Sequence, residues 1–237
     1  MRTFKLLDLF CCAGGASAGY AKAGFECVGV DINNQPRYPF EFHQADAFEY
    51  LHQYGEHFDV IHASPPCQRY SQLTPKEYRG NHPDYIDLIR SDLLTLGKPY
   101  VIENVPGARA LLKSPLMLCG TMFGLRIRRH RFFEIVPRIA PPLLACDHTF
   151  YPVLISGTHK RKGGRFEYSA QSCRDASGLH WMTRKEMDEA IPPAFTCFIG
   201  EQLVAQLNVE SGVTCLQHSI AGSQSLGPNA EAALLLC

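Results

Sequence analysis

The sequence predicts an α/β fold: a doubly wound, mostly parallel sheet with helices on both faces. Through the first 105 residues, short apolar runs alternate with helix-compatible stretches, and glycine, proline or an acidic residue punctuates most changes. The composition agrees, because 237 residues, 46% hydrophobic and 19% charged, suffice for one large buried core and exclude a disordered chain. No apolar run approaches the roughly 20 residues of a membrane span. Met1-Arg2-Thr3-Phe4-Lys5 runs straight into strand-like sequence without a signal-peptide pattern, so a cytoplasmic protein is expected.

The first strand is Lys5-Leu6-Leu7-Asp8-Leu9-Phe10, closed by the small-residue turn Cys11-Cys12-Ala13-Gly14-Gly15. A helix over 16–23 follows and stops at Gly24, a residue suited to a left-handed cap. Residues 27–30 form a second strand ending on Asp31. Polar, helix-compatible sequence leads to a strand over 59–63, broken by Ser64-Pro65-Pro66. Between 83 and 96, Tyr85, Leu88, Ile89, Leu93 and Leu96 recur at helical spacing, with Pro83 in the first turn and Gly97 as the stop. Residues 100–102 are a further strand, ending at Glu103.

Beyond 113 the rhythm changes. β-like pieces at 116–118 and 131–136 lead into Pro137-Arg138-Ile139-Ala140-Pro141-Pro142, a boundary. Residues 143–180 are loop-rich, and helical spacing returns at 183–190 and 195–207. The expected division is a core over 1–136, a small loop-rich segment over 137–178, helices over 179–207 returning to the core, and a tail over 208–237 that is poorly ordered or not native.

The formal net charge is zero, 23 basic against 23 acidic side chains, but the distribution is uneven. Residues 1–112 carry 10 basic and 13 acidic groups, 113–165 carry 10 and 2, and 166–237 carry 3 and 8. The middle segment is therefore strongly basic, which suits phosphate binding as readily as a solvated surface.

The ten cysteines include no CxxC pair and no secretion context, so reduced thiols are expected. Cys146 and His148, with Cys173 and His159, match no standard zinc spacing and are expected to be scattered, so no metal is expected.

Ligands of an open parallel sheet bind beyond the carboxyl ends of its strands. Those ends carry Phe10 to Gly15, Asp31, Asp46, Ser64 to Gln68 and Glu103-Asn104-Val105. Gly14 and Gly15 alone indicate only a tight turn, since glycines at 14, 15 and 19 make neither a dinucleotide fingerprint nor a P-loop. Asp31 is placed to accept hydrogen bonds from a ribose diol. A cofactor with ribose but no pyrophosphate suits this turn, and S-adenosylmethionine is such a molecule. Asp46 reaches toward an adenine amino group or simply caps the helix before Ala47-Phe48-Glu49. Two prolines fix the backbone before Cys67 and make its exposure the expectation. Its thiol becomes a nucleophile if neighbouring cations lower its pKa, and the arginine cluster supplies them. Glu103 faces the same space or is a salt-bridged carboxylate.

Four motifs occur in order: Asp8-Leu9-Phe10-Cys11-Cys12-Ala13-Gly14-Gly15, Pro65-Pro66-Cys67-Gln68-Arg69-Tyr70-Ser71, Glu103-Asn104-Val105 and Arg129-His130-Arg131. In them the chain resembles the DNA (cytosine-5)-methyltransferases, especially the compact kind of bacteria and their phages, some of them parts of restriction-modification systems. The match covers about residues 3–135 well and 180–207 loosely. The resemblance implies a Rossmann-like, S-adenosylmethionine-dependent methyltransferase fold. It implies a covalent route in which the Cys67 thiolate adds to carbon 6 of a flipped-out cytosine. In the same way Glu103 serves ring nitrogen 3, Arg131 the cytosine carbonyl, and Arg129 partners Arg131. Implied cofactor contacts are Phe10, Gly14, Gly15, Asp31, Ile32 against adenine, Asp46 and Pro65.

The resemblance makes 137–178 the target-recognition segment, with His159-Lys160-Arg161-Lys162-Gly163-Gly164-Arg165 as a basic loop. Implied DNA contacts are Gln68, Ser71, Lys160, Arg161, Lys162 and Arg165. The implied partner is double-stranded DNA, bound by a monomer. Where the family has glutamine before the arginine motif, this chain has Ile127, and the late motifs read Thr183-Arg184-Lys185-Glu186 and Gly200-Glu201-Gln202. A transfer-RNA cytosine-5 methyltransferase and a non-catalytic DNA-binding relative stay open as alternatives.

Overall fold

A computed structural model describes residues 2–71, 74–155, 159–161, 164–166 and 168–212, with the backbone alone over 159–161 and 164–166. The first half runs β1 (Phe4–Leu9), α1 (Gly15–Lys22), β2 (Phe25–Asp31), β3 (Glu41–Gln44), α2 (Ala47–Tyr54), β4 (Val60–Ala63), α3 (Lys76–Arg79), α4 (Tyr85–Leu96) and β5 (Tyr100–Asn104). The second half runs β6 (Leu116–Leu118), β7 (Arg131–Val136), β8 (His159–Arg161), β9 (Gly164–Phe166), α5 (Ala170–Ser177), α6 (Arg184–Glu189) and α7 (Pro193–Glu210).

Seven strands form one sheet in the order β3-β2-β1-β4-β5-β7-β6, and β8 pairs with β9 in a separate ribbon. β1 to β5 are mutually parallel, with Leu7 opposite both Val28 and Ile61. β7 runs antiparallel between β5 and β6. In β1 and β2 only Lys5 and Glu26 leave the interior, and β4 and β5 are buried at every position. That continuity is what a parallel sheet covered on both faces requires. Ala47 and Leu51 of α2 pack with Ile86, Ile89 and Leu93 of α4 against one face. Ala16 and Tyr20 of α1 pack with Phe195, Ile199 and Leu203 of α7 against the other.

The α1–α7 crossing depends on Gly19. A Cβ there would stand 2.0 Å from Thr196 Oγ1 and 2.1 Å from the Pro193 carbonyl oxygen. Thr196 Oγ1 donates to the Ala16 carbonyl at 2.8 Å, so the helices cannot part without losing that bond. Gly200 fits Ala23 in the same crossing, where its Cβ would come within 2.7 Å, which gives the late glycine a packing role. Gly19→Val should therefore destabilise the protein by about 2–3 kcal/mol, as overpacking of a tight contact does. Thermal unfolding reads this directly, and an unchanged Tm would refute the close-crossing argument.

The C-terminal elements return to the glycine turn. Trp181 Nε1 donates to the Ala13 carbonyl at 2.8 Å, and Arg37 Nε reaches both carboxylate oxygens of Glu186 at 2.9 and 2.8 Å. Thr183 and Glu186 form a reciprocal capping box at the start of α6, so this spacing serves helix initiation. Ile127 is buried with Val153, Ile155, Leu179, Met182 and Met187, a cluster that spans the boundary expected near 178.

Two expectations about element ends are corrected. Pro83 lies before α4 rather than in its first turn: Asp84 is the N-cap, with an extended backbone and a carboxylate that accepts the Ile86 N–H. The tail expected from 208 starts later, because the last turn of α7 reaches Glu210. Residues 213–237 lie outside the described residues.

Candidate active site

β4 ends at Ala63, and Ser64-Pro65-Pro66 carries the chain past the sheet edge to Cys67. Pro65 is buried, Pro66 exposed and Cys67 half-buried. The Cys67 carbonyl accepts the N–H groups of Tyr70 and Ser71, both at 2.9 Å, so the thiol stands at the head of a tight turn. Asn104 Nδ2 donates to the Pro65 carbonyl at 2.9 Å and ties this turn to the end of β5. The residue beside Glu103 thus positions the residue two before Cys67.

Glu103, one step earlier on β5, is buried. β7 runs against β5 with Asn104 opposite Phe132, so the first residue of β7, Arg131, emerges at the carboxyl end of the parallel strands. The antiparallel turn of one strand is what brings a C-terminal arginine to that end. Arg131 Nε lies 2.9 Å from Glu103 Oε1 in an ion pair, although no N–H points along it as a hydrogen bond. Burial pushes the Glu103 carboxyl above the usual range, with Arg131 and then Arg129 opposing the rise. Arg129 donates through Nη2 to the Asp188 carbonyl, which anchors the motif to α6, while its Nε is buried without a partner.

Cys67 corrects an expectation. Its thiol pKa is raised, first by burial and next by the Glu103 charge, and Arg131 offsets only part of this. Arg131 pulls it down, but it is paired with Glu103, and burial together with that carboxylate outweighs it.

Behind Glu103 runs a polar chain that sequence reading missed. Tyr20 Oη meets His62 Nδ1 at 2.9 Å, and His62 Nε2 meets Ser64 Oγ at 2.8 Å. Ser64 in turn hydrogen-bonds Glu103. His62 is fully buried, and burial holds its imidazole down at about 3, so it is neutral. The neutral ring has one N–H and one acceptor nitrogen, so it links Tyr20 on one side to Ser64 on the other. The available signal was a histidine inside an otherwise apolar strand.

At the other end of the same mouth, Phe10 takes a positive φ of 60°, and its ring stacks on Tyr85 with centroids 6.4 Å apart. Gly14 caps α1 with φ 82°, and a Cβ there would meet Pro39 and Tyr38 at 2.9 Å. Gly15 lies against Ile191, whose carbonyl oxygen would stand 2.4 Å from an added Cβ. Asp31 is buried and accepts the backbone N–H groups of Cys12 at 3.0 Å and Asn33 at 2.9 Å. Ile32 next to it is 66% exposed, a large apolar side chain uncovered at a strand end. Asp46 caps α2 through Oδ1, accepting from Phe48 and Glu49.

Gln68 is exposed and Ser71 half-buried on the turn after Cys67. Lys162 lies outside the described residues, and Lys160, Arg161 and Arg165 fall where the backbone alone is described. The expected scatter of Cys146 and His148 is corrected: both meet Cys119 and His130, within 4.8 Å of one another. Cys173 is elsewhere, with its thiol against the Leu154 carbonyl at 3.6 Å. No helix among the described residues is long and apolar enough to cross a membrane.

Residues 4–111, which hold the glycine turn, Cys67 and Glu103, match the family model of the C-5 cytosine-specific DNA methylases. The match takes in just under half of the chain. A type II methyltransferase, M.AplI of Arthrospira platensis, is 32% identical over 111 residues, covering 43% of this chain and 31% of its own length. A protein of Methanocaldococcus jannaschii, named as a candidate ribosomal RNA large subunit methyltransferase, is 32% identical over 96 residues, 33% of this chain and 25% of its own. The chain thus spans about a quarter to a third of the curated relatives it matches. The solved methyltransferase EhMeth of Entamoeba histolytica shares the fold at TM-score 0.54 and 12% identity, covering 89% of this chain and 99% of that one.

Proposed function

We propose that the protein transfers a methyl group from S-adenosylmethionine to carbon 5 of a flipped-out cytosine in double-stranded DNA. The observation that carries this reading is the meeting of a thiol, a buried carboxyl and an arginine at the carboxyl end of the sheet: Cys67, Glu103 and Arg131. The cofactor fits the other half of the mouth, where exposed Ile32 offers an apolar face for a purine beside the buried Asp31 carboxylate. Phe10, Gly14, Gly15, Asp46 and Pro65 complete its cradle. When bound there, S-adenosylmethionine supplies an electrophilic methyl group on a sulfonium.

Cys67 adds as thiolate to carbon 6 of the ring, and the displaced electron pair makes carbon 5 nucleophilic. Glu103, whose burial favours its protonated form, donates to ring nitrogen 3 and stabilises the charge that the addition creates. Arg131 donates to the cytosine carbonyl, and Arg129 holds the motif to α6. Cys67 leaves by elimination once the carbon 5 proton has passed to a base, which restores the aromatic ring. The target base must leave the duplex stack to reach a thiol at this depth. Gln68 and Ser71, beside Cys67, and the basic run of Lys160, Arg161, Lys162 and Arg165 meet the DNA.

The relative named for ribosomal RNA supports a second reading, an RNA cytosine as substrate. Methyl incorporation from radiolabelled S-adenosylmethionine into duplex DNA, transfer RNA and ribosomal RNA separates the two. Label recovered as 5-methylcytosine from DNA is the expected result. Label confined to RNA would transfer the proposal to the second reading, and label in neither would overturn both.

A further inference from the structure

Four side chains from three separate segments converge beside the arginine motif: Cys119 after β6, His130 between Arg129 and Arg131, and Cys146 and His148 in the loop beyond Pro142. One ligand atom from each lies within 4.8 Å of the others. Cys119 is fully buried, His130 and Cys146 half-buried, and His148 exposed. Cys119 Sγ is 3.5 Å from His148 Nε2, and the His130 and His148 rings face each other with centroids 5.0 Å apart. His130 Nε2 is buried and has no hydrogen-bond partner. A buried imidazole nitrogen without a partner is costly, and here it belongs to a group that includes two thiols and a second imidazole.

We propose that Cys119, His130, Cys146 and His148 form a tetrahedral zinc site that staples the 146–148 loop to the arginine motif. Two thiolates and two imidazoles are the donor set that selects zinc, and four protein ligands make a closed, structural site. At ordinary zinc bond lengths of about 2.0–2.3 Å, tetrahedral ligand atoms stand roughly 3.3–3.8 Å apart. The Cys119–His148 pair already meets that spacing, and rotation of the other side chains closes the rest. Each thiol gives up one proton on binding, so two thiolates neutralise the dication and no net charge is left buried.

The surroundings are those of a supported site. Thr121 Oγ1 lies 3.3 Å from Cys119 Sγ and accepts the Asp147 N–H at 3.0 Å, linking one ligand to the loop that carries two others. Arg128 donates to the carbonyls of His148 and Phe150, which holds the same loop against the motif. The ion would thus fix the backbone on both sides of His130, where Arg129 and Arg131 lie. The site stands independently of the methyl-transfer reading, since its occupancy is measured without turnover.

The test is metal content and a cobalt spectrum on the full chain. Protein loaded with zinc and desalted should retain about one equivalent by mass spectrometry, and cobalt exchange should produce the visible bands of a tetrahedral dithiolate site. Cys146→Ser and His148→Ala, the second at an exposed position that spares the core, should each weaken zinc retention against a chelator at least about tenfold. Cys173→Ala, outside the cluster, should retain zinc like the parent protein. Folded parent protein that keeps no zinc after loading would overturn the site, as would full retention by Cys146→Ser and His148→Ala.

Discussion

Cys67→Ala should abolish methyl transfer, by on the order of 10⁴-fold or more, while S-adenosylmethionine binding persists. The proposed reaction needs the thiolate to make carbon 5 nucleophilic, and no other described thiol stands at the head of that turn. A duplex with 5-fluorocytosine at the target would trap the adduct on the parent protein, because fluorine cannot leave carbon 5 as a proton does. The alanine variant should form none, and equal trapping by both would refute the covalent route. The raised thiol pKa adds a pH signature. Burial and Glu103 keep the thiol protonated, so the thiolate fraction at neutral pH is below that of an ordinary cysteine. Alkylation of Cys67, followed by peptide mass spectrometry, should therefore show a midpoint above the ordinary thiol value of about 8.5. Glu103→Gln removes the neighbouring charge and should move that midpoint down while slowing transfer.

Glu134→Ala should cost about 3–5 kcal/mol of stability at neutral pH, the penalty for stranding a buried partner charge. Glu134 on β7 accepts from Arg90 Nε at 2.9 Å and Nη2 at 2.8 Å, from Tyr100 Oη at 3.0 Å and from the Lys113 N–H at 2.7 Å. Side chains of both charged partners are almost wholly buried, 8% exposed for Arg90 and 2% for Glu134. The pair joins α4 to the antiparallel strand that presents Arg131. Burial alone would raise the Glu134 carboxyl, but the Arg90 hydrogen bonds, the Lys113 N–H and Tyr100 outweigh it and hold the carboxyl below its usual range. A depressed folded-state pKa means that this stabilisation is complete above the unfolded value of about 4.3 and is lost as pH falls through the folded value. Urea unfolding of parent and variant should differ most at neutral pH and converge in acid. A gap that stays constant into acid would refute the ion-pair account.

Much of the fold was legible because its signals are local. Strand and helix periods, the Gly24 and Gly97 stops and the Ser64-Pro65-Pro66 break each depend on a few neighbouring residues, and the observed elements fall within a few residues of them. Parallel strands all end on one side, so placing Cys67 and Glu103 at strand ends was enough to put them at one mouth. Pro83 misled because a carboxylate one residue later caps the helix instead. Ile127 departs from the pattern of the family the chain resembles while Gly200 keeps the late glycine, and packing explains both: one fills the third core cluster and the other fits Ala23.

The sequence by itself determined the alternation of elements, the glycine turn and the order of the thiol, carboxyl and arginine motifs, since each is encoded over a short stretch. Tertiary structure decided the rest. The antiparallel direction of β7 sets Arg131 against Glu103, while burial and the Glu103 charge leave the Cys67 thiol raised despite Arg131. It also gathers Cys119, His130, Cys146 and His148, whose irregular spacing announces no site. Protonation and ligation depend on which groups become neighbours through space, and only the folded chain sets those distances.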